Sequence, residues 1–211
     1  MERGPLTRRQ VLLGAAALAA GVTAGACMRP QAALADVLRP PGALTEADFM
    51  ARCIGCERCV SVCPEKVLRP LGVEKGMAQA RTPELTFDAG SCTFCDECRK
   101  VCPTAAIGVV DPYAPEQGRI GVAVIHEDRC LAFPQTESCG VCVDACPYDA
   151  LSFDEFRQPV VDIHACNGCG ECVRICPANV SMSFAGGSVR GVEVVTNKAF
   201  DQMTSETGGM R

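Results

Sequence analysis

Cysteine thiolates are soft, anionic ligands, and this sequence spaces them in a repeating way. Cys53, Cys56, Cys59 and Cys63 lie in CIGCERCVSVCP, and Cys92, Cys95, Cys98 and Cys102 lie in CTFCDECRKVCP. Cys130 precedes the eight residues LAFPQTES and then CGVCVDACP, which holds Cys139, Cys142 and Cys146. Cys166, Cys169, Cys172 and Cys176 lie in CNGCGECVRICP. The first cysteines of the four runs are thus 39, 38 and 36 residues apart. Three cysteines at steps of three wrap a short loop around one small object and set three sulfurs on three of its faces. The fourth lies beyond a half-turn, and the Pro after it fixes the backbone where that Cys must reach across.

In two-cluster bacterial ferredoxins this spacing is the signature of 4Fe-4S ligation, with the fourth Cys serving the other cluster. Four complete sets predict four 4Fe-4S clusters, with all sixteen of these cysteines as cofactor-binding and metal-ligating residues. Gly55, Gly140, Gly168 and Gly170 permit backbone angles that let loop N–H groups turn toward the sulfurs. A zinc site needs two CxxC pairs, usually with a longer loop between them, which is not this pattern. A disulfide scaffold is the stronger rival in an exported chain, yet cysteines three residues apart in repeated triplets make poor partners for long-range bridges.

The elements that must position these loops are short. Strand-like stretches precede three of the runs (ELTFDAGS, VAVIHEDR and PVVDIHA), and apolar segments follow the Cys-Pro pairs. One or two helical turns fit between the third and fourth cysteines of each run, near Val60, Arg99, Val143 and Val173. The expected class is α+β: tandem bacterial-ferredoxin-like two-cluster domains with short strands, short helices and long loops. The expected divisions are a signal over 1–35, a first two-cluster unit over 36–118, a second over 119–187, and a C-terminal strand with a frayed polar tail over 188–211. The absence of Trp and a 5% aromatic content leave each half a thin core, so a bound group must supply part of the interior.

Arg8 and Arg9 stand before the apolar run Val11 to Ala26, and Ala33-Leu34-Ala35 offers small residues for cleavage. This reads as a twin-arginine export signal to the periplasm. At 16 residues the apolar run is short of the roughly 18–20 that a spanning helix needs, although retention as an anchor stays open. Export after folding lets clusters be inserted before the protein meets an oxidising compartment. Cys27 falls inside this segment and reads as incidental. Residues 1–35 carry +3 of the chain's net −5, which leaves −8 on the rest and argues against nucleic acid as a partner.

The twin arginines, the segment LRPPGAL from Leu38, the four Cys runs and above all AVIHEDRCLAFPQTESCGVCVDACP make the sequence resemble the NapG/MauM family of periplasmic ferredoxin-type proteins, over about residues 7 to 185. The resemblance implies electron transfer from a membrane-bound quinol-oxidising iron-sulfur protein to a periplasmic reductase or cytochrome, nitrate reduction being the best-known setting, with no small-molecule substrate. Run two departs from the NapG pattern in having only two residues between Cys95 and Cys98.

All four sets being complete, no iron is left without a protein ligand, and no CxxxCxxC, phosphate loop or GxGxxG occurs, so an electron carrier is expected rather than an enzyme. The alternative is the iron-sulfur subunit of a molybdopterin oxidoreductase of the dimethyl-sulfoxide-reductase type. His126 and His164 read as strand-end residues, and Glu57, Asp96, Glu97, Asp144 and Glu171 as an acidic surface or a docking edge. Two pairings stay open. In the sequential one, neighbouring runs exchange their fourth cysteines; in the nested one, run one pairs with run four and run two with run three. The 39- and 36-residue spacings within each neighbouring pair favour the sequential form.

Overall fold

Each Cys-Pro pair leads into a short strand or bridge that returns against the segment leading into another run. The computed structural model describes residues 36–109, 118–133, 139–178 and 190–207. After run one, β1 (Leu68–Pro70) pairs antiparallel with β2 (Pro83–Leu85), which leads into run two; Leu68 faces Leu85 and Pro70 faces Pro83. Run two in turn ends in a single antiparallel bridge from Ile107 back to Ala43, just ahead of run one. The second half repeats the scheme. Strand β4 (Leu151–Phe153), after run three, pairs with β5 (Pro159–Val161), before run four. Strand β3 (Val122–Ile125), before run three, pairs with β6 (Val192–Val195), beyond run four. What leaves one run therefore pairs with what enters its neighbour, a two-fold exchange made twice. The fold is a small α+β ferredoxin-like one.

The helices are short: α1 (Glu46–Arg52), α2 (Arg58–Val62), α3 (Glu97–Lys100), α4 (Val141–Asp144) and α5 (Glu171–Ile175). The last four each carry the third cysteine of a run, and they pack in pairs, α2 on α3 and α4 on α5. Five residues cannot hold a helix in water by themselves. Helix α1 is better founded: Thr45 caps it by accepting from the Asp48 N–H, Glu46 and Asp48 sit in its first turn, and Arg52 in its last.

The lead-in LRPPGA builds the first half's corner. Ala43 N–H donates to Pro40 O at 3.0 Å across a turn in which Gly42 takes φ +76°, the position a type II turn reserves for glycine. Leu85 N–H donates to Leu38 O at 2.9 Å. Arg39 is buried, with its guanidinium on Glu46, the Thr82 hydroxyl and Pro83 O, and 4.7 Å from the centre of the Phe49 ring. Phe49 itself is fully buried, a contribution of about 1.5–3 kcal/mol. The remaining core is thin and continuous: Val67, Leu68, Leu85, Phe87 and Ile107 join Ile120, Ala123, Leu151, Val192 and Val194, with cysteines packed along it.

The polar segment after Val195 does not fray as its composition implies; it forms α6 (Asn197–Thr207). Thr196 starts it by accepting from the Ala199 N–H while donating its hydroxyl to Asp36. Among the described residues no helix is long and apolar enough to cross a membrane. The export-signal reading falls on residues 1–35, and much of the LAFPQTES loop on 134–138, both outside the described residues.

Candidate metal centres

Backbone geometry repeats from run to run. The residue just before the second cysteine takes a left-handed conformation in three runs: Gly55 (φ +61°), Phe94 (φ +54°) and Gly168 (φ +77°). So does the residue just after it: Glu57 (φ +60°), Asp96 (φ +65°) and Gly170 (φ +80°). Lys66, Ala105 and Asp149, each three residues past a fourth cysteine, share φ near +50°. Six of these nine positions are not glycine, so each holds a conformation that costs of order 1 kcal/mol. Strain repeated at equivalent places is the mark of a loop shaped around something.

These loops bring the sixteen thiols into four sets of four. Cys53, Cys56 and Cys59 share a hollow of about 360 Å³ with Cys102. Cys92, Cys95 and Cys98 share one of about 380 Å³ with Cys63. Cys130, Cys139 and Cys142 share one of about 360 Å³ with Cys176. Cys166, Cys169 and Cys172 share one of about 300 Å³ with Cys146. In every set the fourth thiol comes from the neighbouring run, which is the sequential exchange. No disulfide forms among the described cysteines, and no group of three or more among the described residues converges closely enough to hold a single metal ion. Each set rings a space instead.

That space is hostile to bare thiolates. Burial pushes the Cys59, Cys98 and Cys169 thiols up to about 11, and Cys92 and Cys142 up to about 12, with neighbouring sulfurs adding to the rise. Cys172, also buried, is raised further. Cys63 acts on both Cys92 and Cys98, and Cys146 on both Cys169 and Cys172, so cross-run proximity is felt electrostatically. Backbone donors answer this at specific sulfurs. Ala150 N–H lies 3.3 Å from Cys146 Sγ and Ala123 N–H lies 3.5 Å from Cys166 Sγ. Burial also pushes Cys102 up, but N–H groups of Thr104, Ile107 and Ala106 with the Thr104 hydroxyl outweigh it and hold that thiol below its ordinary value. Four thiols, apolar walls and N–H donors aimed at sulfur fit a cationic iron-sulfide core, which would relieve the repulsion that an empty site suffers.

The acidic residues near the runs are mostly neutralised within the chain. Asp96 pairs with Arg99, Glu97 with Lys100, Glu171 with Arg174 and Glu57 with Arg81. Hydrogen bonds from their arginines hold the Asp96 and Glu171 carboxyls below the usual range. His126 follows β3 directly, and its carbonyl accepts from the Cys130 N–H at 2.8 Å; its Nε2 lies 3.2 Å from Glu193 without forming a hydrogen bond. His164 is exposed in a turn closed by Asp162. Neither histidine lines any of the four hollows. Asn167, which the cysteine spacing does not single out, lines the run-four hollow with only 3% exposure. A polar residue between two cysteines of a run is the one signal the sequence offers for it.

Comparison with known proteins agrees with this geometry. The 4Fe-4S dicluster domain family matches residues 52–106 and 137–180, one match in each half. The chain is 33% identical over 184 residues to the ferredoxin-type protein NapG of Escherichia coli (strain K12), covering 80% of this chain and 78% of NapG. It is 33% identical over 192 residues to the methylamine utilization ferredoxin-type protein MauM of Paracoccus denitrificans, covering 82% of this chain and 84% of MauM. With MauM of Methylorubrum extorquens it is 35% identical over 189 residues, 80% of this chain and 84% of that protein. Redox partners are implied by such relatives, and a carrier rather than a catalyst. The chain belongs to the NapG and MauM family of ferredoxin-type proteins, and is an iron-sulfur electron-transfer protein built on 4Fe-4S dicluster domains.

Proposed function

We propose that this is a periplasmic carrier of four 4Fe-4S clusters that takes electrons from a membrane-bound quinol-oxidising iron-sulfur protein and delivers them to a periplasmic reductase or cytochrome, such as a nitrate reductase. The ligands are the sixteen clustered cysteines: Cys53, Cys56, Cys59 and Cys102; Cys92, Cys95, Cys98 and Cys63; Cys130, Cys139, Cys142 and Cys176; Cys166, Cys169, Cys172 and Cys146. When bound, such clusters supply one-electron exchange with little structural change. The chain's own residues hold the sulfurs, bury those of run four from water and aim N–H groups at several of them. The observation that carries the reading is the four-fold recurrence of a four-thiol hollow with one thiol donated by the neighbouring run. The periplasmic setting rests on Arg8 and Arg9 ahead of the apolar run. The sequential exchange also weighs against the reductase-subunit alternative, whose runs are nested.

The deciding measurement is iron and acid-labile sulfide counted on anaerobically purified protein, with EPR of the reduced form. About sixteen iron atoms per chain are expected from four full thiolate sets. About eight, or stoichiometric zinc, would sink the four-cluster reading.

A further inference from the structure

The amide of Asn167 is half satisfied. Its Oδ1 accepts from the Cys169 N–H at 3.2 Å, and its backbone carbonyl accepts from the Ile120 N–H at 3.0 Å. Because the partner of the side-chain oxygen is an N–H, the amide cannot be turned around: the nitrogen would then meet another donor. Nδ2 is therefore fixed in place, fully buried, and without a hydrogen-bond partner among the described residues. A buried NH₂ with no acceptor is costly and rare in folded proteins. Asn167 lies on the wall of the hollow ringed by Cys146, Cys166, Cys169 and Cys172. The acceptors such a site would offer are sulfurs.

No other run has a buried side-chain donor at the equivalent position. The residue after the first cysteine is Ile54 in run one and Leu131 in run three, neither with a side-chain donor, and in run two it is Thr93, which is exposed. The run-four site is also the one in which all three of the run's own thiols are buried, whereas Cys56 of run one and Cys95 of run two are exposed. Burial of an anionic cluster disfavours the added electron and lowers its reduction potential; hydrogen bonds to sulfur stabilise the more negative, reduced form and raise it.

We propose that Asn167 is a tuning residue: its Nδ2 donates to a sulfur of the run-four cluster and raises that cluster's reduction potential against the effect of burial. This rests on the four-cluster reading. The donor joins the backbone N–H groups at this site's sulfurs, those of Ala150 on Cys146, Ala123 on Cys166 and Glu171 on Cys169. As a side chain, it is the one that a substitution can remove.

The test is an EPR-monitored redox titration of the holoprotein and of Asn167→Leu and Asn167→Asp, each with its iron counted. Leu removes the donor without adding charge, while Asp keeps the oxygen that accepts from the Cys169 N–H. Both variants should shift the reduction equilibrium of a single cluster toward the oxidised form by roughly tenfold, about 59 mV for one electron, with the other three unmoved. Protein labelled with ¹⁵N at the asparagine side-chain amide should show a weak nitrogen coupling to one reduced cluster by pulsed EPR, lost in Asn167→Asp. Full iron with unmoved potentials in Asn167→Asp and no nitrogen coupling in the parent protein would overturn the assignment while leaving the cluster reading intact. Should Asn167→Leu lose iron, the nitrogen coupling of the parent protein decides, because the charge of Asn167→Asp lowers the potential by itself. A parent protein without iron would overturn both readings.

Discussion

The backbone N–H of Cys92 donates to the carbonyl of Cys169 at 2.8 Å, tying the run-two loop to the run-four loop across 77 residues of sequence. The two halves are joined at their cysteine loops. Around this bond Phe94 meets Tyr148 edge to face with ring centres 6.1 Å apart, and Arg190 reaches from beyond run four to Asp88 and to the carbonyls of Phe87 and Val173.

Gly170 tests how tightly that junction is packed. It follows the second cysteine of run four at φ +80°, and a Cβ there would collide with the buried Phe87 ring. Gly170→Ala therefore combines backbone strain with overpacking and should cost about 2–4 kcal/mol. Thermal unfolding of the holoprotein is the readout. Gly108→Ala, whose Cβ would meet only Gly42 O at 3.4 Å, should shift the midpoint far less. Equal shifts would refute the packing argument.

The exchange of fourth cysteines makes a prediction about spectra. Cys63 lies with Cys92, Cys95 and Cys98, and Cys102 with Cys53, Cys56 and Cys59. Cys63→Ser should perturb the same EPR signal as Cys92→Ser, and Cys102→Ser the same signal as Cys53→Ser. A nested arrangement would instead couple Cys63→Ser to Cys166→Ser, and self-contained runs would couple it to Cys53→Ser.

Much of this site is legible in the sequence because its chemistry is written in residue type and spacing. CxxCxxCxxxCP marks the candidate ligands, and neighbouring runs at 39 and 36 residues leave room for only a short return, so the strands β1 with β2 and β4 with β5 follow. What the sequence hides is conformational. Nothing in the letters marks Phe94 or Glu57 as left-handed, since the surrounding loop imposes it on residues that resist it. Helix α6 is hidden for a similar reason: its composition is polar, and its start depends on Thr196 meeting Asp36 from the far end of the chain. The role of LRPPGA in holding Leu85 and Phe49 in place is also invisible until Arg39 is seen buried.

Export gives a prediction independent of the fold. Arg8 and Arg9 stand before the apolar run, and on the proposed periplasmic reading the pair is the element that the folded-protein export route would recognise. Replacing both by Lys keeps the charge and should hold iron-loaded protein in the cytoplasm. Fractionation with iron counted in each compartment is the measurement. Undiminished periplasmic protein would reject the twin-arginine reading.

Removing iron should unfold the chain rather than leave an empty native form. The core is thin, the helices that carry the third cysteines are four or five residues long, and the loops hold strained conformations that only a bound group would justify. Chelation under anaerobic conditions should abolish the cooperative thermal transition, and a transition equal to that of the holoprotein would count against this. Any compact apo-form should also be sensitive to alkali, with a sign that the thiols fix. Free thiols lose their protons at about 9.0, whereas in the folded hollows Cys59, Cys98 and Cys169 keep theirs to about 11, and Cys92 and Cys142 to about 12. Between those values the folded apo-state binds more protons than the unfolded one, so its stability falls as pH rises. Residual apo structure followed by far-UV circular dichroism should therefore be unchanged below pH 9.0 and lost from there toward about 12. The holoprotein, whose thiolates are compensated by iron, should show no such loss across the same range, and an identical alkaline transition in both forms would show that the thiols are not what limits the empty fold.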